Sequence, residues 1–156
     1  MELDRIDRAI LSTLQQDCSC TNLQLAEQVG LSPPACLKRI KRLTDEGYID
    51  KKVALLVPEK FGPCLHMVVE VIMERDNKAL YQRFLNRAVA APEVKQCYRV
   101  TGEVDFVLIV MVPDMDAYEA FCDRVLHADD NMKKFRTLIS MKRDKFETAI
   151  EVKSEQ

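Results

Sequence analysis

Lys38, Arg39, Lys41 and Arg42 lie within five positions of one another, and no acid occurs between residues 33 and 44. At helical spacing such a group makes a local positive face, the kind of surface that neutralises nucleic-acid phosphates. The ordinary alternative is a solvated helix face. A second constellation is Gly102-Glu103-Val104-Asp105, a glycine turn that carries two carboxylates. A zwitterionic ligand presents a carboxylate, which takes backbone N–H donors, and an ammonium, which takes an acid, so one such loop can serve both ends. Leu138 and Ile139 would supply an apolar wall for a side chain. The same residues equally describe a tight hairpin with solvated acids, and both readings stand on the residues alone. Six cysteines (Cys18, Cys20, Cys36, Cys64, Cys97, Cys122) and two histidines (His66, His127) share no repeated spacing. A zinc site needs about four convergent ligands, so no metal is expected, and the thiols read as reduced and mostly buried.

The overall charge is -2 with pI near 5.8, which excludes a protein that coats nucleic acid through bulk charge. Positive charge is instead local. Residues 33–52 hold six basic and three acidic side chains, whereas residues 61–156 hold 14 basic and 16 acidic. The start, MELDRIDRAIL, lacks the apolar run of a signal peptide, and no segment approaches the roughly 18 apolar residues of a membrane span. A cytoplasmic protein without membrane association is expected.

The elements that must position these groups follow from periodicity. Leu3, Ile6, Ile10 and Leu14 fall on one face of a helix ending near Gln16, with Asp4, Arg5, Asp7 and Arg8 expected outside. A second helix starts at Thr21 or Asn22, carries Leu25, Ala26 and Val29 inward, and stops at Gly30. Ser32, followed by Pro33 and Pro34, opens a third; its hydroxyl is expected to cap the helix and is also able to donate to a phosphate. Cys36, Ile40 and Leu43 share the inner face of that helix, while Pro34, Lys38, Lys41 and Arg42 project outward and Arg39 flanks the core. The helix runs to about Glu46 and Gly47 ends it. Together these form a helix-turn-helix unit. Tyr48–Val57 has strand character and is expected to form a wing or exit strand. Residues 58–63, PEKFGP, read as a linker.

A different pattern follows. Leu65–Glu74 is a strand with apolar residues at every odd position. Asn77–Ala90 is a helix with Leu80, Phe84, Leu85 and Ala88 inward. Gln96–Thr101 and Val104–Val112 form a hairpin across Gly102-Glu103. Pro113-Asp114 opens a helix with Tyr118, Phe121, Cys122 and Val125 inward, and Phe135–Met141 is the last strand. The polar tail after Ile150 is expected to fray. The fold class is therefore α+β: a winged helix-turn-helix domain over 1–57, a linker over 58–63, and a ferredoxin-like βαββαβ domain over 64–156. Both alternating sets of the strand VDFVLIVMV are apolar, yet two helices cover only one face of a four-stranded sheet. The other face calls for a partner, most simply a second copy of the chain, which would also bring two DNA-reading units together.

In their order and spacing, LDRIDRAIL, LAEQVGLSPPACLKRIKRLTDEGYI and VTGEVDFVLIVMVPDMDAY resemble the Lrp/AsnC family of transcription regulators, over nearly the whole chain from Leu3 to about Phe146. The resemblance implies an amino-acid-responsive, sequence-specific regulator of amino-acid metabolism that binds double-stranded promoter DNA. Its second domain would be of the family's effector-binding (RAM) type, in dimers that assemble further, often to octamers. It implies DNA contact through Ser32, Pro34, Lys38, Arg39, Lys41 and Arg42. It places the effector site between dimers, at Val100, Thr101, Gly102, Glu103 and Asp105 together with Met115, Thr137, Leu138, Ile139 and Ser140. The effector is a free amino acid, leucine or methionine foremost, with no other cofactor. The family's usual loop reads G-D-[YF]-D, and Val104 here replaces the aromatic ring. Two other classes stand beside this one: a ferredoxin-like enzyme binding a small molecule, and a DNA-free module docking its basic helix on an acidic protein. The chain shows no nucleophile with a base at motif spacing and no phosphate-cradling glycine loop, so no catalysis is expected.

Overall fold

The computed structural model describes residues 2–152, which divide into two compact units. One holds the chain up to Leu55 together with the segment from Lys145 onward; the other spans Leu56–Asp144. The sequence grouped that last segment with the second domain. It joins the first because Gln15 binds it like a strand edge: the side-chain Nε2 donates to the Ile150 carbonyl at 2.7 Å and Oε1 accepts from the Ile150 N–H at 2.9 Å. The tail expected to fray begins after Ile150; Glu151 and Val152 carry no regular secondary structure, and residues 153–156 lie outside the described residues.

The first unit is built from α1 (Arg5–Gln16), α2 (Asn22–Val29) and α3 (Pro33–Asp45). Asp4 caps α1 through a capping box with Asp7, and Thr21 caps α2 through one with Gln24. Gly30, at φ 71°, takes the left-handed conformation that ends α2. Ile10, Leu25, Ala26, Cys36 and Leu43 form the core, with Leu3, Ile6, Leu14, Val29 and Ile40 packed around it.

Three expectations for this unit are corrected. Ser32 occupies the cap position of α3, but its side chain makes no cap hydrogen bond. Asp7 does not face solvent: it is 1 % exposed. Residues 51–57 form no strand, and Val53, Leu55, Leu56 and Val57 are all exposed. A strand exists only against another edge, and within one chain this segment has none.

The second unit runs from a single 3₁₀ turn at Pro58–Phe61, within the expected linker, into β1 (Leu65–Met73), α4 (Lys78–Ala90), β2 (Val94–Arg99), β3 (Phe106–Val112), α5 (Met115–Phe121) and β4 (Met132–Ile139). A π-helical turn, Cys122–Leu126, extends α5. The sheet order β2-β3-β1-β4, antiparallel throughout, is the ferredoxin-like arrangement. One sheet face, with Met67, Val69, Val71, Phe106, Leu108 and Val110, is buried beneath Phe84, Ala88, Phe121 and Val125 of the helices. Tyr81 joins this core, whereas the expected Leu80 and Leu85 are half-buried. The other face, with Val68, Ile72, Val107, Ile109 and Met111, is only partly covered.

Candidate DNA-binding and effector sites

α3 is held at both ends. The Asn22 side chain donates to the Pro33 carbonyl at 2.8 Å, which ties the start of α2 to the start of α3. At the far end the Tyr48 N–H reaches the Leu43 carbonyl and the Gly47 N–H reaches Thr44, with Gly47 at φ 78°. Cys36 and Leu43 are fully buried against the other helices, and burial pushes the Cys36 thiol pKa up, away from reactivity.

The four cations of α3 separate into two pairs. Lys38 and Lys41 are exposed and, among the described residues, enter no ion pair. Arg42 donates from Nη2 to both oxygens of Asp7, each at 2.7 Å. Arg39 donates from Nη1 to Asp7 Oδ1 at 2.9 Å and to Asp4 Oδ2 at 2.6 Å. Asp4, held chiefly by the Asp7 N–H and then by Arg39, has its pKa lowered to about 2, and the two carboxylates raise that of Arg39. Ser32 and Pro34 are exposed at the start of the helix.

In the second unit the loop after β2 is closed by the Val100 N–H on the Asp105 carbonyl, 3.0 Å, and anchored by the Asp105 N–H on the Val71 carbonyl, 2.8 Å. Gly102 sits at φ 111°, a conformation a side chain would oppose, and Thr101, Gly102 and Glu103 are exposed. Asp105 turns inward. Its Oδ2 accepts from the Met73 N–H at 2.7 Å and its Oδ1 from the Tyr81 hydroxyl. That hydrogen bond, foremost, raises the Tyr81 pKa to about 12, and the Arg99 guanidinium lies 4.8 Å from the Tyr81 ring centre.

The remaining expected effector residues collect elsewhere. Thr137 hydrogen-bonds the Tyr118 hydroxyl, Leu138, Ile139 and Met115 are about half exposed, and the Ser140 N–H reaches the His66 carbonyl at 2.8 Å. Asp105 is anchored at Val71 and Ser140 at His66, five residues apart along β1. At 3.3–3.4 Å per residue that is roughly 17 Å. Within one chain the expected effector residues therefore do not converge: Thr137 and Leu138 lie opposite Val69 and Val68, and Ser140 lies farther along β1. Among the described residues no group of three His, Cys, Asp or Glu side chains could hold a metal ion, and no helix is long and apolar enough to cross a membrane.

Comparison with known proteins decides what these domains are. Residues 3–50 match the winged helix-turn-helix DNA-binding model, and residues 66–150 match the Lrp/AsnC ligand-binding domain. The chain belongs to the Lrp/AsnC family of DNA-binding transcriptional regulators. It is 37% identical over 150 residues to the DNA-binding transcriptional activator DecR of Escherichia coli, covering 96% of this chain and 99% of that one. It is 34% identical over 153 residues to the leucine-responsive regulatory protein of the same organism, covering 98% and 93%. The crystal structure of a Neisseria meningitidis transcriptional regulator in complex with L-methionine superposes with a TM-score of 0.88 at 32% identity, covering 97% of each chain. For this Lrp/AsnC protein, sequence reasoning missed Asp4, Asp7, Tyr81 and Arg99 as residues that shape the sites. The signal for Asp7 was present: an acid at the third helical position completes a D-x-x-D capping box, and Arg39 and Arg42 repeat at the same three-residue interval.

Proposed function

We propose that this Lrp/AsnC regulator reads promoter DNA with α3 and answers to a free amino acid of leucine or methionine size. The observation that carries the DNA half is the pair of exposed lysines, Lys38 and Lys41, which among the described residues enter no ion pair, on the outer face of the second helix of a helix-turn-helix. Ser32 and Pro34 border the same face, and the helices of two copies would enter successive major grooves roughly 34 Å apart. The effector half draws on the separation of the expected residues. The loop with Glu103 offers an acid for the ammonium and backbone N–H groups for the carboxylate, and Ile139 and Met115 offer a flexible apolar wall, while Leu138, opposite Val68, lies on the open sheet face. Because Ile139 lies opposite Met67, four residues or roughly 13 Å along β1 from the Val71 anchor of the loop, a single amino acid touches both loop and wall only where two copies meet. This makes the assembly itself the sensor: two-fold dimers through the open sheet face, joined further, to an octamer, in the cytoplasm and without a membrane or a metal. The relatives' names, a transcriptional activator and a leucine-responsive regulatory protein, favour regulation over catalysis.

Salt-dependent binding to the protein's own promoter tests the DNA half. Lys41→Ala is expected to weaken binding to all sequences and to lower the slope of log K against log salt by about one phosphate contact. Equal slopes in variant and parent would remove Lys41 from the interface.

A further inference from the structure

We infer that Asp7 is a positioning residue for the DNA-reading helix. Its carboxylate holds Arg39 and Arg42 of α3 against α1 and so fixes which side chains α3 turns toward DNA. The inference rests on the reading of α3 as the contacting helix.

The geometry is that of a two-point clamp. Asp7 is 1 % exposed, and both its oxygens are occupied, Oδ1 by Arg39 and by Arg42 and Oδ2 by Arg42. Arg39 and Arg42 lie three positions apart, on neighbouring turns of one face, so their attachment to one fixed point resists both sliding and rolling of the helix. The apolar contacts of Cys36, Ile40 and Leu43 set the depth of α3 but resist rolling less, because apolar contact is non-directional. Rolling matters because successive residues are about 100° apart around the axis. A modest roll would exchange the lysine face for a neighbouring one. The guanidinium suits this task because it is planar and always charged, and its several N–H donors let Arg39 span two carboxylates.

The charge balance leads to the same assignment. Asp4 and Asp7 carry two negative charges, and Arg39 and Arg42 carry two positive ones, so the cluster is neutral. Of the four cations of α3, only Lys38 and Lys41 therefore offer net charge to phosphate. Two cations that sequence alone assigns to DNA are instead spent on aiming the helix.

Two variants test this with the full-length protein, by fluorescence anisotropy against the promoter fragment and against an unrelated duplex over a range of salt. Arg42→Gln leaves Arg39 bridging Asp4 and Asp7, and it removes from α3 a cation that the clamp keeps off phosphate. Its slope of log K against log salt is expected to equal the parent's, while the ratio of specific to non-specific affinity falls about tenfold, the loss of roughly one base contact's discrimination. A slope lower by about one would place Arg42 on a phosphate and overturn the inference, as would an unchanged ratio. Asp7→Asn releases Arg42, while Arg39 stays on Asp4. It is expected to steepen the slope by about one and to tighten non-specific binding while the ratio falls. A simple loss of folded protein would instead lower both affinities together with the parent's slope, and should Asp7→Asn fail to fold, Arg42→Gln alone decides. If the parent shows no salt-dependent DNA binding, the reading of α3 fails and the clamp with it. If the parent binds and Arg42→Gln departs from expectation, only the clamp fails.

Discussion

At the scale of the residue, the two acids of the β2–β3 loop have opposite duties. Asp105 is committed internally: without it, the Met73 N–H and the Tyr81 hydroxyl lose their acceptor. Each unsatisfied, part-buried donor costs about 1–3 kcal/mol. Asp105→Ala is therefore expected to lower the thermal stability of the second unit whether or not an amino acid is present, and to return the Tyr81 ionisation from about 12 toward 10 in a spectrophotometric titration. Glu103 is exposed and has no such duty, so Glu103→Gln is expected to leave thermal stability unchanged and to abolish the shift caused by the effector. A destabilised Glu103→Gln, or an Asp105→Ala as stable as the parent, would reverse these roles. The sequence shows both acids in one loop but not which of them turns inward, because that depends on Tyr81, 24 residues earlier, and on the end of β1.

At the scale of the element, α1 is the brace of the reading head, and part of its grip is electrostatic. The Asp4 pKa lies at about 2, below the usual 3.8, so the folded state favours the carboxylate. A depressed carboxyl stabilises the fold fully above its ordinary pKa and loses that contribution as pH falls toward its folded value. Asn caps a helix as well as Asp does, so Asp4→Asn removes the charge and keeps the cap. The parent is expected to be more stable than Asp4→Asn near pH 6 in urea denaturation, with the gap closing between about pH 4 and pH 2. A gap independent of pH would assign the difference to packing. A second brace is the C-terminal segment. Gln15→Ala removes both hydrogen bonds to Ile150, and hydrogen exchange at the Ile150 amide is expected to accelerate while exchange in α2 and α3 is unchanged. Unaltered exchange at Ile150 would mean the segment is held by other contacts.

The helices and strands of both units were legible because their apolar residues recur at 3.6 or at 2, and because Gly30, Gly47 and Asn77 punctuate them. What escaped the sequence depends on distant residues. The pattern of α1 puts Asp7 off its apolar stripe, yet α3 packs there and supplies two arginines. Tyr48–Val57 has the composition of a strand, yet among the described residues no strand forms over 51–57.

At the scale of the whole molecule, the half-covered sheet face argues for a second copy. Val68, Val107, Ile109 and Met111 lie side by side on the open face of β1 and β3, with Leu138 of β4 beside Val68. In the proposed function, a two-fold pairing of this face would bring two copies of α3 into one particle, and further joining would bring the Glu103 loop of one copy to the apolar wall of another. Ligand binding then acts on DNA only to the extent that it prefers one assembly, and hence one arrangement of paired helices, over another.

The central claim is that an amino acid bound between copies changes how the paired α3 helices hold DNA. It is tested most directly by titrating a labelled promoter fragment with the full-length protein at fixed salt, alone and with L-methionine or L-leucine, and following anisotropy. The predicted result is a shift of the binding midpoint by about fivefold or more with one of the two, lost in Glu103→Gln. Superimposable isotherms for the parent with and without both amino acids would contradict it.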